Sequence, residues 1–417
     1  MDEAGSRENP PHGGGDDSGR GPLAGRIAVM LPRFSLYGGV EQFGFRLAEA
    51  LARRGHSVDF LCARKEAEAP PGVTVKAVGR PRGFKTMKML WFLVGAERLR
   101  RAGNYDLSIS LGKTWRQDIS RMGGGPLRVF WEKSELALPE GLPRRAKRIL
   151  RRLLPANWLT LFLEHRQFNR HSEVIAVSHL VRDWLLSAHP ALDPDHVSVV
   201  YNRPDISRFF PPGPEERQAA RRALAGSAGL DPAAASGSSG AEPVFIGTAS
   251  TNFQLKGLGP LIRAMALLPE RTALFVAGGR GETAYRDLAR SLGLENRVFF
   301  LGRVDAMPEF YRALDIFILP TFYDACSNAV LEALASGCRA LTSRSNGAAF
   351  FLDDEAVLPD PGDVQDMARR LRAFMDKPAP GPFVWPETAP GGLEAFVERV
   401  EGYLAAKKNA RPDSIRS

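Results

Sequence analysis

The chain has 417 residues, of which 44% are hydrophobic and 25% are charged, and these shares exclude a fibrous or wholly disordered protein. A single hydrophobic core seldom serves more than about 250 residues, so the length predicts two domains. The net charge of +9 suggests an anionic partner, such as nucleic acid, a nucleotide or an acidic membrane face, although arginine-rich codon usage explains the same charge without any function.

The compartment follows from the apolar segments and the cysteines. No segment holds the roughly 18 uncharged apolar residues of a membrane span, and residues 1–20 lack the apolar stretch of a signal peptide. Cys62, Cys326 and Cys338 form neither a paired framework nor a metal-spaced cluster, which fits a reducing compartment. The sequence therefore predicts a cytoplasmic protein, and we expect neither a metal nor another cofactor.

The first half of the chain predicts an arm followed by an α/β domain. Residues 1–24 contain few groups able to bury surface and predict a disordered arm, while residues 25–205 predict the first domain. That domain opens with an apolar run at 27–31 and helical apolar spacing over 40–53. Further strands are predicted at 58–62, 107–110, 174–177 and 197–200, with a helix at 86–101. Strands that are apolar throughout are typical of a parallel, doubly wound sheet.

The second half repeats this pattern after residues 206–242, whose Ala, Ser and Gly content predicts a linker or flexible loop. The second domain, residues 243–388, has predicted strands at 244–247, 273–277, 298–301, 316–319 and 339–342. A terminal helix within 389–410, placed to pack back across the domains, and a tail at 411–417 complete the chain. The predicted fold is α/β, with two tandem Rossmann-like domains whose parallel sheets face an interdomain cleft.

The most specific motif lies at residues 322–337, directly after the strand at 316–319. Small residues open a helix near Asn328, and the free backbone N–H groups and the dipole of that helix favour an anion such as a diphosphate. Glu332 lies about one turn further along, where its carboxylate could accept hydrogen bonds from ribose hydroxyls. Asp324 lies before Glu332, with seven residues between them. The alternative to a binding site is that Asp324 is simply an acid at the start of the helix and Glu332 a solvated acid within it.

This spacing resembles the paired-acid motif of the family 4 retaining glycosyltransferases, which have the GT-B fold, and in particular their lipopolysaccharide-core glucosyltransferase branch. Asp324 stands where that family more often has Glu, and Ser327 where it often has Gly. Lys256, before Gly257, resembles the lysine that meets the donor phosphates, where a fixed ammonium stabilises the departing nucleotide. The resemblance implies a donor-binding site made by Gly38, Gly39, Lys256, Ser327, Asn328 and Glu332.

The resemblance also implies three catalytic residues, Asp118, Lys256 and Asp324. Asp118 lies in a segment similar to the one that the family presents to the reacting sugar, so we expect it across the cleft from Lys256; the alternative is a capping or salt-bridged aspartate. The family often adds an arginine just before the lysine, and this chain has none there. Either the phosphate clamp is weaker or another cation, such as Arg280 or Arg344, contributes.

By resemblance, the chain transfers a hexose with retention from a nucleoside-diphosphate sugar, UDP-linked, to a glycan or lipid-linked acceptor such as lipopolysaccharide core. One alternative is a non-catalytic GT-B protein that only binds the nucleotide-sugar. Another is an NAD-linked oxidoreductase, but residues 36–41 after the first strand lack the Gly-x-Gly-x-x-Gly fingerprint. Charge alone supports nucleic-acid binding, so no nucleic-acid partner is expected.

Two basic clusters in the first domain suggest a further partner. Residues 143–154 combine cations with an apolar stripe at helical spacing, and Arg80, Arg82, Lys85 and Lys88 form the second cluster. Helices of this kind lie on anionic leaflets, which predicts a peripheral position on the inner face of the plasma membrane. The alternative is an ordinary solvated helix face.

Overall fold

The computed structural model describes residues 24–168, 172–230, 243–279, 281–375, 377 and 380–410. Apart from Ala24, the predictions for the arm at 1–24 and the tail at 411–417 fall outside the described residues, as does Arg280.

The first domain is built on a parallel sheet. Its strands are β1 (Arg26–Met30), β2 (Arg33–Phe34), β3 (Ser57–Cys62), β4 (Arg64–Lys65), β5 (Val73–Ala77), β6 (Leu107–Ser110), β7 (Ile119–Met122), β8 (Glu173–Ala176) and β9 (Val197–Val199). The main sheet has the order β5-β3-β1-β6-β7-β8-β9, while β2 and β4 pair separately. Its helices are α1 (Gly39–Arg53), α2 (Lys85–Ala102), α3 (Leu127–Leu136), α4 (Leu142–Leu153), α5 (Pro155–Phe168) and α6 (His179–Ala188).

The second domain repeats the arrangement with six parallel strands. They are β10 (Val244–Ala249), β11 (Thr272–Ala277), β12 (Val298–Gly302), β13 (Ile316–Leu319), β14 (Arg339–Ser343) and β15 (Val357–Leu358), in the order β12-β11-β10-β13-β14-β15. The remaining helices are α7 (Pro214–Ser227), α8 (Leu258–Met265), α9 (Thr283–Ser291), α10 (Met307–Ala313), α11 (Asn328–Ala335), α12 (Val364–Met375) and α13 (Gly392–Asn409).

Both sheets confirm the predicted α/β class. In each, the first strand lies between its neighbours β3 and β6, or β11 and β13, so successive connections leave in opposite directions. A crevice forms at the carboxyl ends of the strands where this reversal occurs, and that is where open α/β sheets bind ligands. The central strands are buried on both faces because helices cover the sheets, which explains their continuous apolar runs.

The stretch at 206–242 is predicted as a linker or flexible loop, but its described part, residues 206–230, contains a packed helix; residues 231–242 lie outside the described residues. Residues 214–227 form α7, and Arg221, Leu224 and Ala225 on it are buried. Arg217 and Arg221 pair with Asp315 of the second domain at 2.6 and 2.8 Å. Alanine-rich composition suits a helix as well as a loop, because Ala has the highest helix propensity. The second domain therefore includes α7.

The chain crosses between the domains a second time near its end. Tyr201 donates its N–H to the carbonyl of Pro390 at 2.8 Å, and Gly392 donates to the carbonyl of Tyr201 at 2.8 Å. After this crossing, α13 packs on the first domain, where Phe396 and Val400 join the buried core around β1. The terminal helix thus forms part of the first domain.

Candidate functional site

A cavity of about 680 Å³ lies between the domains. Its walls are the amino end of α1, the loop after β6, the carboxyl end of β7, parts of α3 and α5, and the start of α13. Among the described residues of the second domain, only Asn328, the first residue of α11, lines this cavity. The cavity therefore lies where the carboxyl ends of the first sheet face the start of α11.

Lys256 of the loop after β10 lies beside Asp324 of the loop after β13. Its ammonium is 2.5 Å from Oδ2 of Asp324 and donates to the carbonyl of Tyr323 at 3.2 Å. The two side chains are only 20% and 19% exposed. Gly257 lets the loops approach this closely, because its φ is +71° and a Cβ there would lie 2.0 Å from the carbonyl oxygen of Pro320.

The loop that opens α11 is held by side chains from several directions. Ser327 caps the helix by accepting a hydrogen bond from the N–H of Val330 at 3.4 Å. Its own N–H donates to Oδ1 of Asn346 at 3.1 Å, and the same oxygen accepts from Ala348 at 3.1 Å. Asn328 is exposed at the end of this capped helix. The free N–H groups of the first turn of α11 therefore have a fixed direction before a ligand arrives.

Glu332 lies one turn into α11 and is mostly buried. Its Oε2 accepts a hydrogen bond from the hydroxyl of Tyr311 at 2.9 Å. Burial raises the pKa of this carboxyl, while the Tyr311 hydrogen bond and the charge of Arg208 act against the increase. The carboxylate is thus oriented by one donor and keeps further lone pairs for another.

First-domain residues form hydrogen bonds with the same loop across the cleft. Ser178 donates its hydroxyl to the carbonyl of Ala325 at 2.7 Å, and Asn202 donates to the carbonyl of Cys326 at 3.2 Å. The Tyr323 hydroxyl donates to the carbonyl of Gly124, and its ring stacks on Trp184 with centroids 4.9 Å apart. The loop between β13 and α11 is therefore shared between the two domains.

The glycines of the first domain lie on the opposite side of the cleft. Gly38 has a φ of +100° and immediately precedes α1, a conformation that residues with a Cβ rarely adopt. Gly39, the first residue of α1, lines the same cavity as Asn328. The structure thus brings Gly39 and Asn328 to one cavity from two domains.

Asp118 does not lie across the cleft from Lys256, which corrects the prediction for its position. It directly precedes β7 and so lies at the amino end of that strand, whereas Ser120, Arg121 and Met122 further along it line the cavity. Its Oδ2 accepts from the N–H and the hydroxyl of Ser108, both at 2.7 Å, and its Oδ1 pairs with Lys407 of α13. Asp118 is the salt-bridged aspartate of the alternative interpretation.

Several cavity residues were not singled out from the sequence. Glu164 of α5 pairs with Lys113 at 2.7 Å and accepts from the N–H of Leu127 at 3.1 Å. Arg121 and Asn202 meet at 2.8 Å in the cavity wall. Asn346 follows the carboxyl end of β14, a position that could have marked it, whereas Glu164 lies inside a helix and carries no such signal. Among the described residues no group of three or more His, Cys, Asp or Glu side chains is arranged to hold a metal ion.

Two protein-family models match the chain. The model described as Glycosyltransferase Family 4 matches residues 37–208, and the one described as Glycosyl transferases group 1 matches residues 242–377. Together they cover both domains and well over half of the chain. The chain belongs to the family 4 glycosyltransferases. The NAD-linked alternative is therefore excluded.

The names of curated relatives of this glycosyltransferase describe different glycosyl transfers. The lipopolysaccharide core biosynthesis glycosyltransferase LpsE of Rhizobium meliloti (strain 1021) is 31% identical over 122 residues, which are 29% of this chain and 36% of LpsE. The D-inositol 3-phosphate glycosyltransferase of Rhodococcus jostii (strain RHA1) is 28% identical over 408 residues, covering 86% of this chain and 84% of that relative. The matched part of the chain spans only 36%, 42% and 39% of the length of three curated relatives, LpsE among them.

Solved structures show that the glycosyltransferase has the GT-B fold. WaaG, a glycosyltransferase involved in lipopolysaccharide biosynthesis, superposes with a TM-score of 0.67 at 19% identity, over 84% of this chain and 90% of WaaG. Anabaena HepE in complex with UDP and glucose superposes with a TM-score of 0.62 at 17% identity, over 92% of this chain and 99% of HepE. The parallel, two-domain architecture predicted from the sequence is thus confirmed as GT-B.

Proposed function

We propose that this glycosyltransferase transfers a hexose, with retention at the anomeric carbon, from a UDP-sugar to a glycan or lipid-linked acceptor such as lipopolysaccharide core. One observation carries the proposal. The Lys256 ammonium is fixed by Asp324 and the Tyr323 carbonyl on a loop that runs directly into the capped amino end of α11. A fixed cation and a helix amino terminus on adjoining loops suit a leaving diphosphate.

In the proposed reaction, the bond between the anomeric carbon and the donor phosphate oxygen breaks as the acceptor oxygen attacks the same face of the sugar. The acceptor proton passes to the leaving phosphate, so no side chain acts as a covalent nucleophile. Lys256 stabilises the negative charge that builds on the phosphate, and Glu332 accepts hydrogen bonds from the ribose hydroxyls. Because Lys256 supplies the positive charge, we propose that turnover needs no metal, and EDTA is expected to leave the rate unchanged.

The named relatives support the donor more than the acceptor. HepE was solved with UDP and glucose, and LpsE and WaaG act in lipopolysaccharide biosynthesis. The inositol 3-phosphate relative matches far more of the chain than LpsE does. A small phosphorylated acceptor is therefore the second candidate for this chain.

The proposal is tested by binding and turnover measured separately. Thermal shift with UDP, ADP and GDP identifies the base, because a ligand of the folded state raises the unfolding temperature. Slow hydrolysis of the matching nucleotide-sugar, followed by proton NMR of the released sugar, reports activity and the anomeric configuration. We expect a UDP shift and release of the α-anomer from a UDP-α-hexose. The absence of any nucleotide shift would overturn the proposal.

The same pair of measurements separates the enzyme from a non-catalytic binding protein. The specific observation behind this second function is that Asp324, shorter than the family's usual Glu, already holds Lys256 at 2.5 Å. A binding protein would give the UDP shift but no hydrolysis with any UDP-hexose. Restoring the longer acid with Asp324→Glu would then be the variant in which hydrolysis returns.

We further propose that α4 contacts an anionic membrane. Leu142, Ile149 and Leu153 fall on one side of this helix and are 80%, 59% and 70% exposed. Arg145 and Arg152 flank that apolar stripe and are exposed as well. An apolar stripe bordered by arginines is the arrangement of helices that lie in the membrane interface. No helix in the described part of the chain is both long and apolar enough to cross a bilayer.

Vesicle flotation tests the membrane proposal. Wild type is expected to float with phosphatidylglycerol vesicles, less so at high salt, and not with phosphatidylcholine vesicles. Arg145→Gln/Arg152→Gln should weaken binding roughly 30-fold, since each near-surface cation contributes about 1 kcal/mol. Arg222→Gln, which removes one exposed arginine from α7, is the control and should lower flotation little. Equal flotation of wild type with both vesicle types would remove the anionic surface from the proposal.

A further inference from the structure

The interdomain cavity carries an excess of positive charge on its first-domain side. Four of the described side chains that line it are cationic, namely Arg46, Lys113, Arg121 and Arg203, and one, Glu164, is acidic. Lys113 and Glu164 neutralise each other at 2.7 Å. Three guanidinium groups therefore face the cavity without a carboxylate in its wall to balance them.

Arg121 is the most constrained of the three. Its Nη2 donates to Oδ1 of Asn202 at 2.8 Å, and its guanidinium lies 3.9 Å from the centre of the Phe43 ring. Among the described residues these neutral groups are its contacts, and no acid pairs with it. Burial lowers the pKa of Arg121 to about 10, so the group remains charged at neutral pH. A charge that is desolvated and unpaired is costly, which favours a ligand that pairs with it.

The other two arginines have contacts that leave most of their donors available. Arg203 donates Nη2 to the carbonyl of Ala389 at 3.1 Å and lies over the ring of Trp385. Arg46 is exposed and lies in the electrostatic range of Asp205, whose carboxylate already accepts from Ser207 at 2.6 Å. Both guanidinium groups can therefore turn toward a ligand.

These arginines belong to the first domain, whereas the cation and the helix end assigned to the donor phosphates belong to the second. Lys256 and the amino end of α11 belong to the second domain, whereas Arg46 lies on α1, Arg121 on β7 and Arg203 just after β9. We infer that Arg121, with Arg46 and Arg203, binds an anionic group, a phosphate or a carboxylate, on the acceptor. A guanidinium matches the planar, bidentate geometry of either anion. This inference rests on the proposed transferase function and names its acceptor class.

Thermal shift in the presence of saturating UDP tests the inference, because UDP then occupies the donor phosphate site. Glucose 6-phosphate and glucuronate serve as anionic probes, and glucose is the neutral counterpart. Wild type is expected to respond to at least one anionic probe and not to glucose. Arg121→Gln should weaken that response about tenfold or more in affinity while keeping the UDP shift, which also shows that the variant is folded. Arg222→Gln, outside the cavity, should behave as wild type.

Each other outcome overturns the inference in a distinguishable way. A normal UDP shift with no response to either anionic probe would contradict the anion-binding role of these arginines, while the proposed donor site would stand. Loss of the UDP shift in a folded Arg121→Gln variant, checked by circular dichroism, assigns this arginine to the donor instead. If Arg121→Gln does not fold, Arg203→Gln gives the same readout. A wild type that binds no nucleotide contradicts the proposed function itself, and the inference fails with it.

Discussion

At the scale of single residues, Lys256 is positioned before any donor arrives, because two oxygen atoms of the neighbouring loop hold its ammonium. A preorganised cation stabilises a transition state without being moved at the moment of reaction. Lys256→Ala should therefore lower kcat by about 100- to 1,000-fold, the loss typical of removing one such group. Steady-state kinetics measures the effect, and Lys65→Ala, which removes an exposed lysine from β4, is the control. Near-normal turnover in Lys256→Ala would exclude the residue from the mechanism.

The ionisation of the Glu332 carboxyl predicts how donor affinity depends on pH. The ionised carboxylate accepts stronger hydrogen bonds from ribose hydroxyls than the protonated acid does, and burial raises the pKa of Glu332. As the pH falls, Glu332 is therefore protonated earlier than an ordinary glutamate, and UDP affinity decreases from a higher pH. Tyr311→Phe removes a hydrogen bond that lowers this pKa, so the decrease should move to still higher pH.

Calorimetric titration of UDP between about pH 4 and 8 measures this shift, a range that begins near the ordinary pKa of a glutamate and extends above it. Glu332→Gln is the control: it lacks this carboxyl, so it should bind weakly and keep only the pH dependence that comes from the terminal phosphate of UDP, whose second pKa is about 6. Identical profiles for wild type and Glu332→Gln would show that another group governs the acid side.

At the scale of elements, the position of Asp118 just before β7 gives it a structural role. Asp118 connects the beginning of β7 to Ser108 on β6 and to Lys407 on α13, so it joins the terminal helix to the sheet. Asp118→Ala should destabilise the fold by about 1–3 kcal/mol, because the N–H of Ser108 loses its acceptor. Asp118→Asn keeps an acceptor oxygen and should cost less. Urea unfolding measures both, and turnover per folded molecule should stay normal; a large fall in kcat would restore the catalytic assignment.

The same strand shows why part of the site could not be predicted. The buried runs of β1, β10 and β13 are continuous and apolar, so they and the loops that follow them were placed correctly from the sequence. β7 has only four residues and includes Ser120 and Arg121, which are polar and line the cavity. Its sequence is therefore typical of a loop rather than of a buried strand. Without β7, Asp118 was assigned to a loop after a strand rather than to the beginning of the next one. The acidic motif at α11 is local in sequence, whereas Glu164 and Arg121 meet the site only through tertiary packing.

At the scale of the whole molecule, one residue connects domain closure to the donor lysine. Tyr323 belongs to the second domain, but its side chain packs against the first, stacked on Trp184 and edge-on to Phe130. Its carbonyl accepts a hydrogen bond from Lys256 of the second domain. The two domains are also joined by two chain crossings, by side-chain hydrogen bonds and by apolar packing, in which Phe350 and Phe351 of the second domain contact Tyr201 of the first. The Tyr323–Trp184 stack adds about 0.5–1.5 kcal/mol to these contacts.

Tyr323→Ala should therefore open the cleft and weaken UDP binding together. Small-angle X-ray scattering is expected to give a larger radius of gyration than wild type without ligand, with UDP reducing the difference, and the Kd for UDP should rise by up to about tenfold per 1.4 kcal/mol lost. Trp184→Ala removes the partner ring and should reproduce both effects. Because the two single variants share the loss of the Tyr323–Trp184 stack, the double variant should lose less UDP affinity than the sum of the two single losses, which a double-mutant cycle detects. Additive losses in the cycle, or an open Tyr323→Ala variant with unchanged UDP affinity, would show that closure and donor binding are not connected through this tyrosine.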